Sequence, residues 1–535
     1  MSGNGFSGAS GMRIGAALAL AAVAGGTALA ATPASAQPGR AATGYDYREI
    51  TIPSTGGVKL DGNVFVPRTP GPHPAIVFIS SWSLEDHEYV AQAARFAAKG
   101  YIVLSYTARG FFNSGGGIDV SGPDDWADGS KAIDWLVAHT DVDRARIGLS
   151  GISYGSGISQ LVAAHDKRVA AVVAMDTWGD LVQSLYANQT RHMGAYTVLA
   201  GSGRLTGRFS PTTDKIINDF GANRNVPALI KWGAVRSPGT YRARLNARKV
   251  PVFISNSYGE TLFPPNQVLA HFAKLTGPKR LDLSIGDHAT AHLTGIFGIP
   301  SRTWDDAHRW FDHYLRGADN GIDREPQISA ETAWSRKIEP YRDVAAFTGR
   351  PEHLTLGAPG LRDGSLSSGT SGPGWTKRLP SGLDSDATGG ILIVSGALQT
   401  FGLPNAKPMS EISRYAGGVW STPVFTATKR LRGAPKLELT VRPGAKSATV
   451  VAYLYDVDAT GTGRLITQEA STLPSAVPGR TYRLPISLQA TSFDVPAGHR
   501  VALVVDTKDP LYGDADVPFT TTEIRSPSTL DLPVG

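Results

Sequence analysis

Arg146-Ile147-Gly148-Leu149-Ser150-Gly151-Ile152-Ser153-Tyr154-Gly155-Ser156-Gly157-Ile158-Ser159-Gln160-Leu161 decides how the rest of the chain is read. Arg146 to Ser150 reads as an apolar strand, and Gly157 to His165 as a helix. Between them stands one Gly-x-Ser-x-Gly match, Gly151 to Gly155. A serine in so cramped a strand-to-helix turn needs glycine-like neighbours, and the turn leaves its hydroxyl exposed to a base. The following helix aims its first N–H groups at the place where an oxyanion would form.

Outward from this turn, strands and helices alternate. Tyr47 to Pro53 and Val58 to Pro67 read as a hairpin closed by Thr55, Gly56 and Gly57. Ala75 to Ile79 and Tyr101 to Tyr106 are unbroken apolar runs of the kind buried in a parallel sheet. Helical patterns fill Glu88 to Lys99 and Asp124 to His139, and Val169 to Ala174 is the next strand. Alternation lapses between about Trp178 and Lys249, which is longer than an ordinary connection and reads as an inserted cap. It resumes with the strand Val250 to Ser255, the helix Asn266 to Leu275, the strand Arg280 to Ile285 and the helix Thr303 to Leu315. The fold class is therefore α/β, a doubly wound and mostly parallel sheet over residues 45–330 with a helical cap over 178–249.

From Pro351 to the end, short alternating runs replace helical periodicity: Lys436 to Val441, Ala448 to Tyr455, Tyr482 to Ile486 and Arg500 to Asp506. This predicts an all-β sandwich or jelly roll over residues 351–535. Asp456-Val457-Asp458-Ala459-Thr460-Gly461 opens like a calcium loop, but Thr467 stands where the closing glutamate belongs. A hairpin turn is the better reading.

Residues 1–36 read as an export signal: Arg13, the apolar run Ile14 to Ala24, then Ala34-Ser35-Ala36 before Gln37. That implies a secreted or cell-envelope protein. With no cysteine among 535 residues, thiol catalysis and Cys-based metal sites are excluded. A net charge of +6 without basic–aromatic interleaving gives no nucleic-acid footprint. No metal or organic cofactor is indicated. The cap carries 11 Lys and Arg against 3 Asp, a balance of 11 − 3 = +8. Such a rim suits acidic acyl substrates or an anionic envelope surface, or is simply a solvated face.

A serine hydroxyl needs a positioned base, and the base needs a carboxylate to hold its tautomer. In an α/β-hydrolase these follow in the order serine, acid, histidine, each after a strand. The base candidate is His288 in Gly286-Asp287-His288-Ala289, with His292 ranked second. The acid candidate is Glu260, the one carboxylate in the loop Asn256 to Pro265, with Asp287 as its rival. The oxyanion donors are expected from Tyr154, after the nucleophile, and from the loop Ser80-Ser81-Trp82-Ser83. Asp176 and Asp180 follow the strand after the elbow; each could hold a substrate ammonium or cap the next helix.

The order of elements, with Gly151 to Gly155, Arg109-Gly110, Leu262-Phe263-Pro264-Pro265-Asn266-Gln267 and Gly498-His499-Arg500, resembles the X-Pro dipeptidyl-peptidase and cocaine-esterase family. The resemblance covers nearly all of the chain after the leader. It implies an α/β-hydrolase domain with a helical cap, a C-terminal jelly roll, and cleavage of acyl esters or amides. By motif position the family triad falls on Ser153, Glu260 and His288. Two departures stand out. Trp82 occupies the place where the family often has an oxyanion-hole tyrosine, so that an indole N–H would replace the hydroxyl. Glu260 replaces the usual aspartate. The expected activity is that of a serine hydrolase acting on a small-molecule or peptide acyl substrate, either an acyl esterase or a Xaa-Pro dipeptidyl aminopeptidase. A non-catalytic envelope-binding protein on the same scaffold is the alternative of another class.

Overall fold

The computed structural model describes residues 44–359, 363–369 and 374–535. The expected signal segment lies outside them. The first sheet contains β1 (Tyr45–Pro53), β2 (Lys59–Pro67), β3 (His73–Ile79), β4 (Ile102–Tyr106), β5 (Val142–Ile152), β6 (Val169–Met175), β7 (Val252–Ser257), β8 (Lys279–Ser284), β9 (Ile328–Glu331) and β10 (Ile338–Tyr341). Their order is β1-β2-β4-β3-β5-β6-β7-β8-β9-β10. From β4 to β9 every pairing is parallel, while β1, β2 and β10 join antiparallel at the edges. The sheet runs on to Tyr341, beyond the boundary expected at 330, because β9 and β10 are four residues each and leave no periodicity to read.

All seven residues of β3 are buried, because helices cover both faces of the sheet. Its side chains alternate between two cores. Ala75, Val77 and Ile79 pack with Ala132, Leu136, Ile158 and Val162 of the helices Pro123–His139 and Tyr154–His165. Ile76 and Phe78 pack with Phe96 of Val90–Ala98 and with Trp304, Trp310 and Phe311 of Arg302–Arg316. The last helix buries Trp304, Ala307, His308, Phe311 and Leu315, a helical stripe, and stops at Gly317, whose φ is +72°.

Five α-helices form the cap: Leu181–Leu185, Met193–Thr206, Pro211–Gly221, Val226–Val235 and Arg242–Arg248. Much of its arginine excess clamps main chain. Arg191 donates to the Gly221 carbonyl at 2.6 Å, Arg208 to Ser114 at 2.6 Å and Arg248 to Ala163 at 2.7 Å. Arg236 pairs with Asp119 at 2.6 Å.

From Arg350 onward the chain is mostly β. Ala448–Val457 lies between Thr462–Leu473 and Arg500–Asp506, while Thr521–Val534 pairs with Arg350–Leu356, Thr376–Pro380 and Lys436–Pro443. Leu437, Leu439, Val450, Leu454, Leu503, Leu530 and Trp420 fill the core between these ladders. The calcium-like stretch is a hairpin turn: Asp458 accepts the N–H groups of Thr460 at 2.9 Å and Thr462 at 3.0 Å. Asp456 is held by His499 Nδ1 at 2.7 Å, a contact to the Gly498-His499-Arg500 motif. Among the described residues no helix is long and apolar enough to cross a membrane.

Candidate active site

β5 ends at Ile152, the helix Tyr154–His165 begins two residues later, and Ser153 stands between them at φ +54° and ψ −119°. That is a strained conformation for a residue with a side chain. Its neighbours leave no room to relax it. A Cβ on Gly155 would lie 1.9 Å from the Ile79 carbonyl oxygen, and one on Gly151 would lie 2.6 Å from the Gly155 carbonyl carbon. The elbow is pinned from below by the Ile152 N–H donating to Tyr89 Oη at 2.8 Å and the Ser153 N–H donating to Met175 at 2.9 Å.

The structure brings Ser153, His288 and Glu260 together. Ser153 Oγ lies 2.7 Å from His288 Nε2, and His288 Nδ1 lies 3.0 Å from both Glu260 oxygens. Glu260 Oε1 also accepts the N–H groups of Leu262 at 2.9 Å and Phe263 at 3.1 Å, which fixes the carboxylate. Burial opposes the imidazolium form of His288, but the Glu260 charge and hydrogen bond outweigh it and lift the ring to about 9.

The competing residues have other tasks. Asp287 Oδ1 accepts the N–H groups of Thr261 and His288, both at 2.7 Å. Its Oδ2 accepts the Ile393 N–H at 2.9 Å, so this carboxylate ties the β-rich half to the histidine loop. Burial, reinforced by the Glu260 charge, raises Asp287 to about 7. His292 is fully enclosed, with Nε2 at 3.0 Å from Ser255 Oγ and 3.1 Å from Asp176.

The structure corrects the expectations for the Trp82 indole and for Asp176, and for Asp180 it takes the capping alternative. The Trp82 indole N–H is not aimed at an oxyanion; it donates to the Leu199 carbonyl of the cap at 3.0 Å. Its ring meets Tyr154 edge-on at 5.1 Å. Asp176 does not reach a substrate pocket. It is fully buried and accepts the Ala289 N–H at 2.8 Å, steadying the residue after the histidine. Asp180 is a helix cap, accepting from Val182 at 3.0 Å and Gln183 at 3.1 Å.

Sequence reasoning missed the supports of the oxyanion loop. Glu88 accepts the Ser81 N–H at 2.7 Å and the Ser81 hydroxyl at 2.6 Å, and that hydroxyl touches the Ile152 carbonyl at 3.0 Å. Tyr154 Oη donates to Asp125 and accepts from the Ser121 N–H, both at 3.0 Å. Its own N–H, at the first helical position, has no partner within the helix. Arg109 forks onto Asp128 at 2.6 and 2.8 Å, accounting for the Arg109-Gly110 motif as a structural brace.

Ser153 opens on a pocket under the cap, walled by Trp82, Trp178, Leu185, Tyr196, Phe220 and Trp232. A second cavity lies behind Glu260 and Asp287, between the loops that carry them and the β-rich half. The loop from Tyr258 to Pro264 separates the two, with Phe263 facing the first and Glu260 the second.

Residues 56–290 match the X-Pro dipeptidyl-peptidase (S15) family, and residues 397–530 match the X-Pro dipeptidyl-peptidase C-terminal non-catalytic domain. A Streptomyces avermitilis protein described as a Xaa-Pro dipeptidyl-peptidase is 24% identical over 81% of this chain and 71% of its own length. In a Bacillus cereus protein of the same description identity is 22%, and the chain spans 61% of that protein. An α-amino acid ester hydrolase has the same fold, with a TM-score of 0.69 at 17% identity over 95% of this chain and all of the other. A CocE/NonD family hydrolase from Staphylococcus aureus gives a TM-score of 0.72 at 12% identity over 92% and 94%. With both family regions in order on a capped hydrolase sheet and an all-β partner, the chain belongs to the S15 X-Pro dipeptidyl-peptidase family of hydrolases.

Proposed function

We propose that the protein cleaves acyl ester or amide bonds through an acyl-enzyme on Ser153, with His288 as base and Glu260 as its orienting acid. The observation that carries this reading is the unbroken Ser153–His288–Glu260 hydrogen-bond chain at 2.7 and 3.0 Å, on a backbone strained to expose the serine. His288 Nε2 takes the hydroxyl proton as Ser153 Oγ adds to the acyl carbon, then returns it to the departing alcohol or amine. A water repeats the sequence in reverse, losing its proton to His288, and the tetrahedral adduct collapses to release the acid and restore Ser153. Glu260 holds the Nδ1 side of the ring and stabilises the imidazolium. We assign the oxyanion to main-chain N–H groups, those of Tyr154 and Trp82. The indole of Trp82 is already bonded, and the Ser81 N–H belongs to Glu88.

The test is labelling by a fluorophosphonate and turnover of p-nitrophenyl acetate. Both are expected in the intact protein and lost in Ser153→Ala. Labelling that survives the substitution overturns the assignment. The family match favours a second reading, a Xaa-Pro dipeptidyl aminopeptidase, which release of p-nitroaniline from Xaa-Pro-p-nitroanilides without ester turnover would select.

The leader motif supports export to the envelope or medium by cleavage after Ala36. N-terminal sequencing of the secreted protein is then expected to begin at Gln37.

A further inference from the structure

The pocket in front of Ser153 has a one-sided chemistry. No charged side chain is among its lining residues, which come from the sheet loops (Trp82, Trp178, Phe263) and from the cap (Leu185, Ile217, Leu229 among them). Two of its tryptophans have spent their N–H groups, Trp82 on Leu199 at 3.0 Å and Trp178 on Arg236 at 2.8 Å. The remaining polar groups, such as the hydroxyls of Tyr186 and Tyr196, are neutral.

The nearby carboxylates are committed elsewhere. Asp176 holds Ala289 and His292, Asp180 caps its helix, Asp125 receives the Tyr154 hydroxyl and Glu260 holds His288. A buried ammonium is costly unless it is paired, and this pocket supplies no partner. The cap's +8 balance, 11 − 3 from the sequence, adds a field that opposes an incoming cation.

We infer that the group transferred to Ser153 is a neutral, apolar acyl chain, and that acyl groups carrying a free ammonium, the N-terminus of a Xaa-Pro dipeptide included, are excluded. This rests on the reading of Ser153 as nucleophile. The apolar wall recognises the chain by burying it, each methylene being worth up to about fourfold in kcat/KM. The six groups that surround it, Trp82, Trp178, Leu185, Tyr196, Phe220 and Trp232, set its width.

The experiment compares p-nitrophenyl acetate, heptanoate and 6-aminohexanoate, the last matching heptanoate in length with an ammonium in place of the terminal methyl, and adds Ala-Pro-p-nitroanilide. Heptanoate is expected to exceed acetate by at least about tenfold in kcat/KM, from five added methylenes. It is expected to exceed 6-aminohexanoate by at least about a hundredfold, the loss that an unpaired buried charge produces. Ala-Pro-p-nitroanilide is expected to be inert. Leu229→Glu, which puts a carboxylate on the wall, is expected to narrow the heptanoate to 6-aminohexanoate ratio at least tenfold, with circular dichroism and the thermal unfolding midpoint reporting that the variant is folded. Preference for 6-aminohexanoate or Ala-Pro-p-nitroanilide, abolished by Ser153→Ala, overturns this inference and leaves Ser153 in its role. Absence of any turnover together with absence of fluorophosphonate labelling overturns both.

Discussion

Two cavities flank the loop Tyr258 to Pro264, and they differ in chemistry. The front one reaches Ser153 and has apolar walls with only neutral polar groups. The rear one is lined by Glu260, Asp287, His192, Gln468 and Gln489, and it touches the β-rich half. The difference separates two jobs. In the proposed mechanism the front would hold the acyl group and keep water away from it, which strengthens electrostatics at the reacting atoms. The rear holds the histidine loop in place through the polar contacts of Asp287. The all-β half therefore contributes to the site through its Ile393 N–H bond to Asp287, just ahead of the matched C-terminal region at 397–530.

The sharpest way to break this division is to remove its chemistry. His288→Ala is expected to lower kcat by about 10⁶, the scale found when the base of such a triad is lost, with KM for heptanoate little changed because the front wall is intact. Glu260→Gln, on the rear side, is expected to lower kcat by about 10⁴ through loss of the ring's orientation. The same substitution changes the pH profile. With His288 raised to about 9, kcat/KM rises with pH through that region in the native protein. In Glu260→Gln the inflection moves down towards the ordinary histidine range of about 6.5. Stability moves the other way. A raised histidine contributes fully below the unfolded value of about 6.5, and the contribution is lost as pH rises through about 9. Chemical denaturation across this window is expected to show a decline in the native protein that Glu260→Gln reduces.

Asp287→Asn tests the rear wall alone. Its amide cannot accept all three N–H groups now bonded to the carboxylate, so a buried donor is orphaned, at about 1–3 kcal/mol in urea unfolding. Turnover is expected to fall about tenfold, 1.4 kcal/mol of transition-state free energy, with KM nearly constant. Asp180→Ala should have the smallest effect: about 1 kcal/mol of stability from a lost cap, and a heptanoate to 6-aminohexanoate ratio unchanged within about twofold. A large shift in that ratio would mean that Asp180 senses the substrate charge after all.

What could be read in advance follows the same division. The candidate nucleophile, acid and base stand directly after strands, so residue order and glycine spacing already point to Ser153, Glu260 and His288. Backbone geometry fixes them, and backbone geometry leaves a local trace. The partners of Trp82, Asp176 and Asp180 depend on how cap and loops pack, and no local pattern carries that. Trp82 meets Leu199, 117 residues away, and the Ala289 N–H that Asp176 accepts is 113 residues away. Thr462–Leu473 and Thr521–Val534 escaped notice for a related reason. They are long strands, but rich in threonine and serine or interrupted by Pro527 and Pro533, and their ladders rather than their alternation make them strands. Within the β-rich half, the helix Val394–Thr400 also went unseen, although the residue before it bonds to Asp287.

The most direct test of the central claim is to quench the protein during turnover of p-nitrophenyl heptanoate and map the covalent adduct by peptide mass spectrometry. The account predicts a heptanoyl group on the peptide containing Ser153 that is absent in Ser153→Ala. An adduct on another residue, or turnover that persists in Ser153→Ala, would contradict it.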